Sequence, residues 1–231
     1  MIQISNLTKK YGETAVFSNL NYTFENTCIY GLVGRNGAGK TTLLNILSNY
    51  DKNYTGVISI DGEKMNKVDY LDMPVAYAMD QPSFFNELTI YENLLLIASS
   101  RKIKKQEAFD KIERILDGLG LKKYENYSPL ELSKGTMQRL NNACAMIQEE
   151  KITIFDEPFS GLDPVQMKLL ENVMVEFHKK EKGIYIISSH DIECLQNVCD
   201  KCLLLHNGQI REINMEEVDR EEIAKILSEG E

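Results

Sequence analysis

The 231-residue chain has no long hydrophobic run. Its longest apolar stretches, such as Leu94–Ala98 and Ile184–Ile187, fall far short of the roughly 18 residues that a bilayer-spanning helix needs. No membrane span is expected, and the opening MIQISNLTKKYG lacks the apolar core of a secretory leader. Positive charge is also scarce: 26 Lys and Arg stand against 35 Asp and Glu, a net charge of −9. That balance argues against a nucleic-acid partner, because phosphate backbones are held by a Lys and Arg surplus. Internal repeats, low-complexity tracts and Pro/Gly/Ser-rich linkers are missing as well. The chain reads as one domain over residues 1–231, expected in the cytosol.

Cysteine does not suggest disulfides either. The five residues Cys28, Cys144, Cys194, Cys199 and Cys202 are an odd number, and in a reducing compartment they read as small buried hydrophobes. The last three are spaced C-x4-C-x2-C with His190 and His206 nearby, a superficial match to a metal site. The surrounding ECLQNVCDKCLLLHNGQI favours a helix edge feeding a buried strand, which hides the thiols rather than gathering them.

What is present is an ordinary globular balance, 43% hydrophobic and 26% charged, with enough length to bury a sizeable core. Ile2 and Ile4 alternate with polar residues, and residues 21–24 repeat the pattern, so an antiparallel β layer is expected at the N-terminus. Residues 28–33 form a short apolar run that leads through glycines into a helical pattern from Lys40 to Asn49. A strand over 56–60 meets an Asp61–Gly62 turn. Two further runs, residues 152–155 and 184–188, have the β-branched content of buried parallel strands. Each ends in polar residues, Asp156 and Glu157 after the first and His190 after the second. In open α/β sheets such strand ends share the edge where ligands bind.

Between these strands, residues 87–127 show helical spacing at Ile103, Ala108, Phe109, Ile112, Ile115, Leu116 and Leu119, with Gly120 as a stop. The expected division is a core of residues 1–85 and 136–210, an inserted helical subdomain over 86–135, and an acidic C-terminal helix over 211–231 carrying Ile223, Ile226 and Leu227.

The strongest chemical signal is GRNGAGKT, which comprises Gly34, Arg35, Asn36, Gly37, Ala38, Gly39, Lys40 and Thr41, with Thr42 following. It fits G-x-x-x-x-G-K-[ST] and stands between a strand and a helix. Its glycines let backbone N–H groups curl around phosphates, Lys40 reaches the β and γ phosphates, and the Thr41 hydroxyl suits Mg²⁺. The second signal is ITIFDEP, an apolar strand delivering Asp156 as a Mg²⁺ ligand and Glu157 as the group that polarises an attacking water. The stretch LSKGTMQRL, residues 132–140, is open to two readings: an amphipathic helix capped by Ser133 with Met137 and Leu140 in a core, or a helix start that holds a phosphate.

Taken in order, these segments resemble the ATP-binding cassette (ABC) ATPases over about residues 2–210. Residues 34–41 and 152–157 resemble the Walker A and Walker B motifs, and LSKG resembles the signature usually written LSGGQ. The resemblance implies an α/β P-loop NTPase fold with a mostly parallel central sheet, and it implies ATP and Mg²⁺. It implies that Tyr11 stacks on adenine, that Gln81 joins Mg²⁺ and water to the helical lobe, and that His190 contacts the γ-phosphate. Ser160–Asp163 matches the loop that touches a partner subunit. The implied assembly is a head-to-tail dimer, of two copies or of close paralogues, in which Ser133 and Gly135 of one chain face the ATP of the other.

The implied function is the ATP-hydrolysing subunit of a transporter, working through separate membrane permease subunits and so peripheral on the inner face of the membrane. An LSKG-type signature without an appended regulatory domain resembles exporters more than sugar importers. A soluble cassette ATPase, for example in iron–sulfur assembly, and a weakly hydrolysing regulatory module are the alternatives. Lys134 and Thr136 depart from the usual Gly and Gln. Lys134 puts a positive charge at a helix N-terminus, and Thr136 shortens a side chain expected near the nucleotide. Hydrolysis is expected to survive both.

Overall fold

The computed structural model describes residues 1–68, 72–190 and 192–213. In chain order its first elements are β1 (Ile2–Tyr11), β2 (Thr14–Phe24), β3 (Cys28–Val33), α1 (Lys40–Leu47), β4 (Thr55–Ile60), β5 (Glu63–Lys64) and β6 (Val75–Ala78). Then come α2 (Ile90–Ser100), α3 (Lys105–Gly118), α4 (Lys134–Met146), β7 (Ile152–Phe155), α5 (Pro164–Glu181), β8 (Ile184–Ser189), α6 (Glu193–Gln196), β9 (Lys201–His206) and β10 (Gln209–Ile213).

Two sheets result. Four strands form an antiparallel sheet in the order β2-β1-β4-β5, and six form a larger one in the order β10-β9-β3-β8-β7-β6. In the larger sheet β3, β6, β7, β8 and β9 pair in parallel, and β10 adds an antiparallel edge. This is the α/β class expected from the apolar strand runs, with the antiparallel layer at the N-terminus.

The central strands are apolar on both faces because each face meets a different core. Tyr30, Ile154, Ile186 and Leu203 pack toward α1 and the antiparallel sheet, joining Ile4, Phe17, Leu43 and Leu47. Their neighbours Ile29, Phe155, Ile187 and Leu204 pack on the opposite side with Leu94, Ile112, Leu140, Leu170 and Phe177 of the helices. A strand buried on both faces loses the polar alternation of a half-exposed strand. Burial pushes the thiol of Cys28 up to about 11 and that of Cys202 up to about 12, so both pack as apolar groups.

Local signals set the helix ends. Thr89 and Glu92 form a reciprocal capping box at the start of α2. Asp163 caps α5 by accepting from the Gln166 N–H at 2.9 Å, with Pro164 at the first helical position. Gly120, at φ 61°, closes the chain after α3. Helix α4 runs without a break across residue 135. Leu140 lies in the core, whereas Met137 is only half-buried.

One expectation is corrected. Residues 211–213 are not the start of a helix but the end of β10, paired to β9 through a turn at Asn207 (φ 48°) and Gly208 (φ 71°). The Asn-Gly pair is a hairpin signal, since both residues adopt positive φ at low cost. The remainder of the expected C-terminal helix, with Ile223, Ile226 and Leu227, lies outside the described residues.

Candidate functional site

Parallel register brings three strand ends to one edge. Val33 pairs with Ser189, and Phe155 pairs with Ile187, so the Gly34 loop, Asp156–Glu157 and His190 all follow strands that end together. In the loop, Gly37 (φ 80°) and Gly39 (φ 100°) take left-handed conformations. A Cβ on Gly39 would stand 2.6 Å from Val16 Cγ1, and one on Gly34 would stand 2.8 Å from the Leu205 carbonyl oxygen. Gly39 supplies no side-chain cap to α1, which leaves the first-turn N–H groups facing the loop interior, at the positive end of the helix.

Beside this loop is a cleft lined by Tyr11, Val16, Arg35, Asn36, Gly37, Gly39, Lys40, Thr41, Thr42, Asp80 and Glu157. Ala38 lines the adjoining hollow with Arg35, Asn36 and Gly37. Lys40 is buried, with Nζ 2.6 Å from the Gly34 carbonyl oxygen and 3.9 Å from Glu157 Oε1. Burial pushes its pKa down while Glu157 and Asp156 pull it back up. The ring of Tyr11 is half exposed at the rim. Its hydroxyl donates to Asp51 at 3.3 Å, and Lys9 Nζ stands 4.6 Å from the ring centroid.

The two carboxylates are held differently. Asp156 is 1% exposed. Its Oδ1 accepts from the Ser188 hydroxyl at 2.5 Å, and the Tyr77 hydroxyl lies 3.4 Å from Oδ2 and 3.1 Å from Asn45 Oδ1. Burial pushes the Tyr77 phenol well above its ordinary value, and Asp156 adds to this. Glu157 has φ 48°, a strained conformation for a side chain of this kind. Its N–H donates to Ser188 Oγ at 2.9 Å, and its Oε2 lies 3.0 Å from His190 Nδ1. The backbone around it is tied to α4. Gln138 donates to the Glu157 carbonyl at 3.2 Å, Asn142 to that of Pro158 at 3.1 Å and Asn141 to that of Met79 at 2.7 Å.

Residues 17–160 match the family of ABC transporters. The chain belongs to this family. It is an ABC transporter ATP-binding subunit and an ATPase of that type. The bacitracin transport ATP-binding protein BcrA of Enterococcus faecalis is 31% identical over 222 residues, covering 95% of this chain and 71% of that one. The tungstate uptake system ATP-binding protein TupC of Peptoclostridium acidaminophilum is 30% identical over 211 residues, covering 91% and 97%. A solved ATP-binding subunit of an ABC transporter superposes with a TM-score of 0.84 at 26% identity, covering 98% of this chain and 94% of its own.

In this ABC cassette the expected residues divide into two groups. Tyr11, the loop from Arg35 to Thr42 and Glu157 come together at the cleft and its adjoining hollow, with His190 bonded to Glu157 and Asp156 tied to it through Ser188. Ser133 and Gly135 do not line it. Ser133 is exposed at the start of α4, and Gly135 packs against the Gly161 carbonyl and the Gln166 side chain. Gln81 is exposed in the loop after β6, and its neighbour Asp80 lines the cleft instead. Sequence reading passed over Ser188, Tyr77, Asn45, Gln138, Asn141 and Asn142. The one signal for the last three is that residues 134–146, KGTMQRLNNACAM, lack the single apolar stripe of an amphipathic helix; the structure buries all three. Among the described residues, no helix is long and apolar enough to cross a membrane.

Proposed function

We propose that two cassettes of this kind, two copies or close paralogues, close head to tail over two ATP molecules, and that hydrolysis drives export through separate membrane permease subunits. The observation that carries the reading is the split of the site: one edge of the chain holds the phosphate loop, Asp156, Glu157 and His190. The exposed Ser133 at the start of α4 does not line that cleft. A second chain supplies what each half lacks. The Ser133 hydroxyl, the Gly135 N–H and the α4 dipole then meet γ-phosphate charge from the far side.

Within one chain the roles follow from position. Tyr11 stacks on the base at the rim, the loop N–H groups of Gly34–Thr42 and Lys40 hold the phosphates, and Glu157 takes a proton from the attacking water. His190, bonded to Glu157, orients that carboxylate beside the γ-phosphate. The residues also fit Mg²⁺, an ion that prefers oxygen ligands. Asp156 is a buried carboxylate fixed by Ser188, and Thr41 offers a hydroxyl at the cleft. Gln81 completes the set when the loop after β6 turns inward. When bound, Mg²⁺ would supply positive charge against the phosphates.

Residues 86–135 form the helical lobe and, with Gln81–Glu87, the docking side for permease subunits, which keeps the cassette on the inner face of the membrane. Export rests on the LSKG signature. The likeness to a tungstate uptake protein makes direction the point to test. Light scattering of the Glu157→Gln variant is expected to show a doubled mass with ATP and not with ADP. A variant that stays monomeric with ATP overturns the dimer. With co-purified permease in inside-out vesicles, ATP-driven cargo accumulation supports export, and ATP-driven release from preloaded vesicles sinks it.

A further inference from the structure

Thr136 departs from the usual signature, and its surroundings suggest what it does. It is 3% exposed, turned into the protein, while Ser133 one helical turn earlier is exposed. Thr136 Oγ1 lies 2.8 Å from Ser133 Oγ and 3.3 Å from Arg139 Nη2. Arg139 is itself buried, and its other nitrogens donate to the carbonyls of Leu119 at 2.6 Å, Gly120 at 3.3 Å and Gly135 at 3.4 Å.

The direction of the hydroxyl pair follows from counting donors. A guanidinium only donates, so Thr136 Oγ1 accepts from Arg139. Its own proton then needs an acceptor, and Ser133 Oγ is the only one recorded for it among the described residues. With Ser133 as the donor, the Thr136 proton would be buried unpaired, at the full desolvation cost of that group. Thr136 therefore donates. The Thr136 N–H also donates to Ser133 Oγ, at 3.3 Å. With two donors aimed at its oxygen, Ser133 directs its own proton away from the helix, toward the exposed side.

We propose that Thr136 is a positioning residue, which orients the Ser133 hydroxyl so that it donates to a phosphate oxygen of the ATP held by the partner cassette. This rests on the two-chain reading above and deepens it. The residue replacing the signature's usual glutamine acts through the serine and not on its own chain's nucleotide.

The test uses the full chain in the Glu157→Gln background, with ATP-driven dimer affinity as the readout. Thr136→Val keeps the shape and removes the hydroxyl; it is expected to weaken the dimer about fivefold or more, the scale of one ordinary hydrogen bond. Thr136→Ser is expected to dimerise as the parent does, and ATP affinity of the single chain is expected to be unchanged in both. In a Ser133→Ala background, Thr136→Val is expected to add nothing, because the two residues act as one unit. A Thr136→Val chain that dimerises like the parent overturns the proposal, and so does one that loses as much in the Ser133→Ala background as it does with Ser133 intact. Should Thr136→Val fail to fold by its melting curve, Thr136→Ala serves the same comparison. If Ser133→Ala alone leaves dimerisation untouched, the two-chain reading fails and takes this proposal with it. If Ser133→Ala weakens the dimer and Thr136→Val does not, only the proposal fails.

Discussion

His190 Nδ1 lies 3.0 Å from Glu157 Oε2, joining the residues that follow two neighbouring parallel strands. The carboxylate is thus aimed from two directions, by the strained backbone that presents it and by the imidazole that holds its far oxygen. Replacing Glu157 by Gln is expected to lower kcat about a hundredfold or more, the usual contribution of a general base, with ATP binding retained. His190→Ala should also slow turnover, since the carboxylate loses its orienting partner. Steady-state hydrolysis beside nucleotide titration checks both, and parental turnover in Glu157→Gln removes that residue from the role of base.

Ser188 touches both carboxylate residues, donating to Asp156 and accepting from the Glu157 N–H. Partners that orient metal-binding groups typically matter about 10- to 100-fold. Ser188→Ala is therefore expected to lower activity by about that factor and to shift the Mg²⁺ dependence to higher concentration. An unchanged Mg²⁺ titration would dissociate Ser188 from the metal-binding role proposed for Asp156.

Gly39 and Gly37 offer a paired test of the loop. Both have positive φ, but only at Gly39 does an added Cβ collide, with Val16 Cγ1 at 2.6 Å; at Gly37 nothing lies within 4 Å. Gly39→Ala is expected to cost about 2 kcal/mol of stability and Gly37→Ala about 1 kcal/mol. Urea midpoints rank them, and equal losses would mean that backbone strain alone decides.

Lys9 is buried at 2% exposure and pairs with Asp51 at 2.6 Å beneath Tyr11. Burial acts to raise the Asp51 pKa, but the hydrogen bonds from Lys9, the Asn53 N–H and Tyr11 prevail and hold it below the ordinary carboxylate value. A carboxylate whose folded pKa is depressed contributes stability above its unfolded pKa, about 4, and loses it as pH falls through the folded value. Asp51→Asn leaves Lys9 its bond to the Asn53 carbonyl, 2.7 Å away, but no counter-charge, and should cost about 1–2 kcal/mol at pH 7, less than for a fully buried pair. The gap to the parent is expected to narrow as the pH falls below about 4. Denaturation curves between pH 7 and 3 read this directly, and a gap independent of pH would count against the pair.

Much of the site was legible because its chemistry is local. A glycine loop between a strand and a helix, and two acids at the end of an apolar strand, are short patterns whose physical requirements lie within a few residues. The hairpin signal at Asn207–Gly208 is equally local, but the acidic tail beyond it carries an apolar stripe at helical spacing that competes with it. The supports of the site were harder to read. Ser188 lies 32 residues from Asp156, and Tyr77 lies 79 from it; neither spacing carries a periodic signal. The inward turn of Thr136 carries no sequence signal. In the signature it reads only as a shortened side chain near the nucleotide, and packing beside Arg139 is what buries it.

By itself the amino-acid sequence determined the P-loop class, the order of the motifs and the glycine loop between β3 and α1, because each needs only neighbouring residues in a fixed spacing. Tertiary structure alone decided which strand ends meet, that Glu157 is bonded to His190, and that Ser133 and Gly135 lie apart from the cleft of their own chain. Those are consequences of strand pairing and helix packing, in which residues far apart in the chain become neighbours because burying both faces of one sheet leaves them no other arrangement.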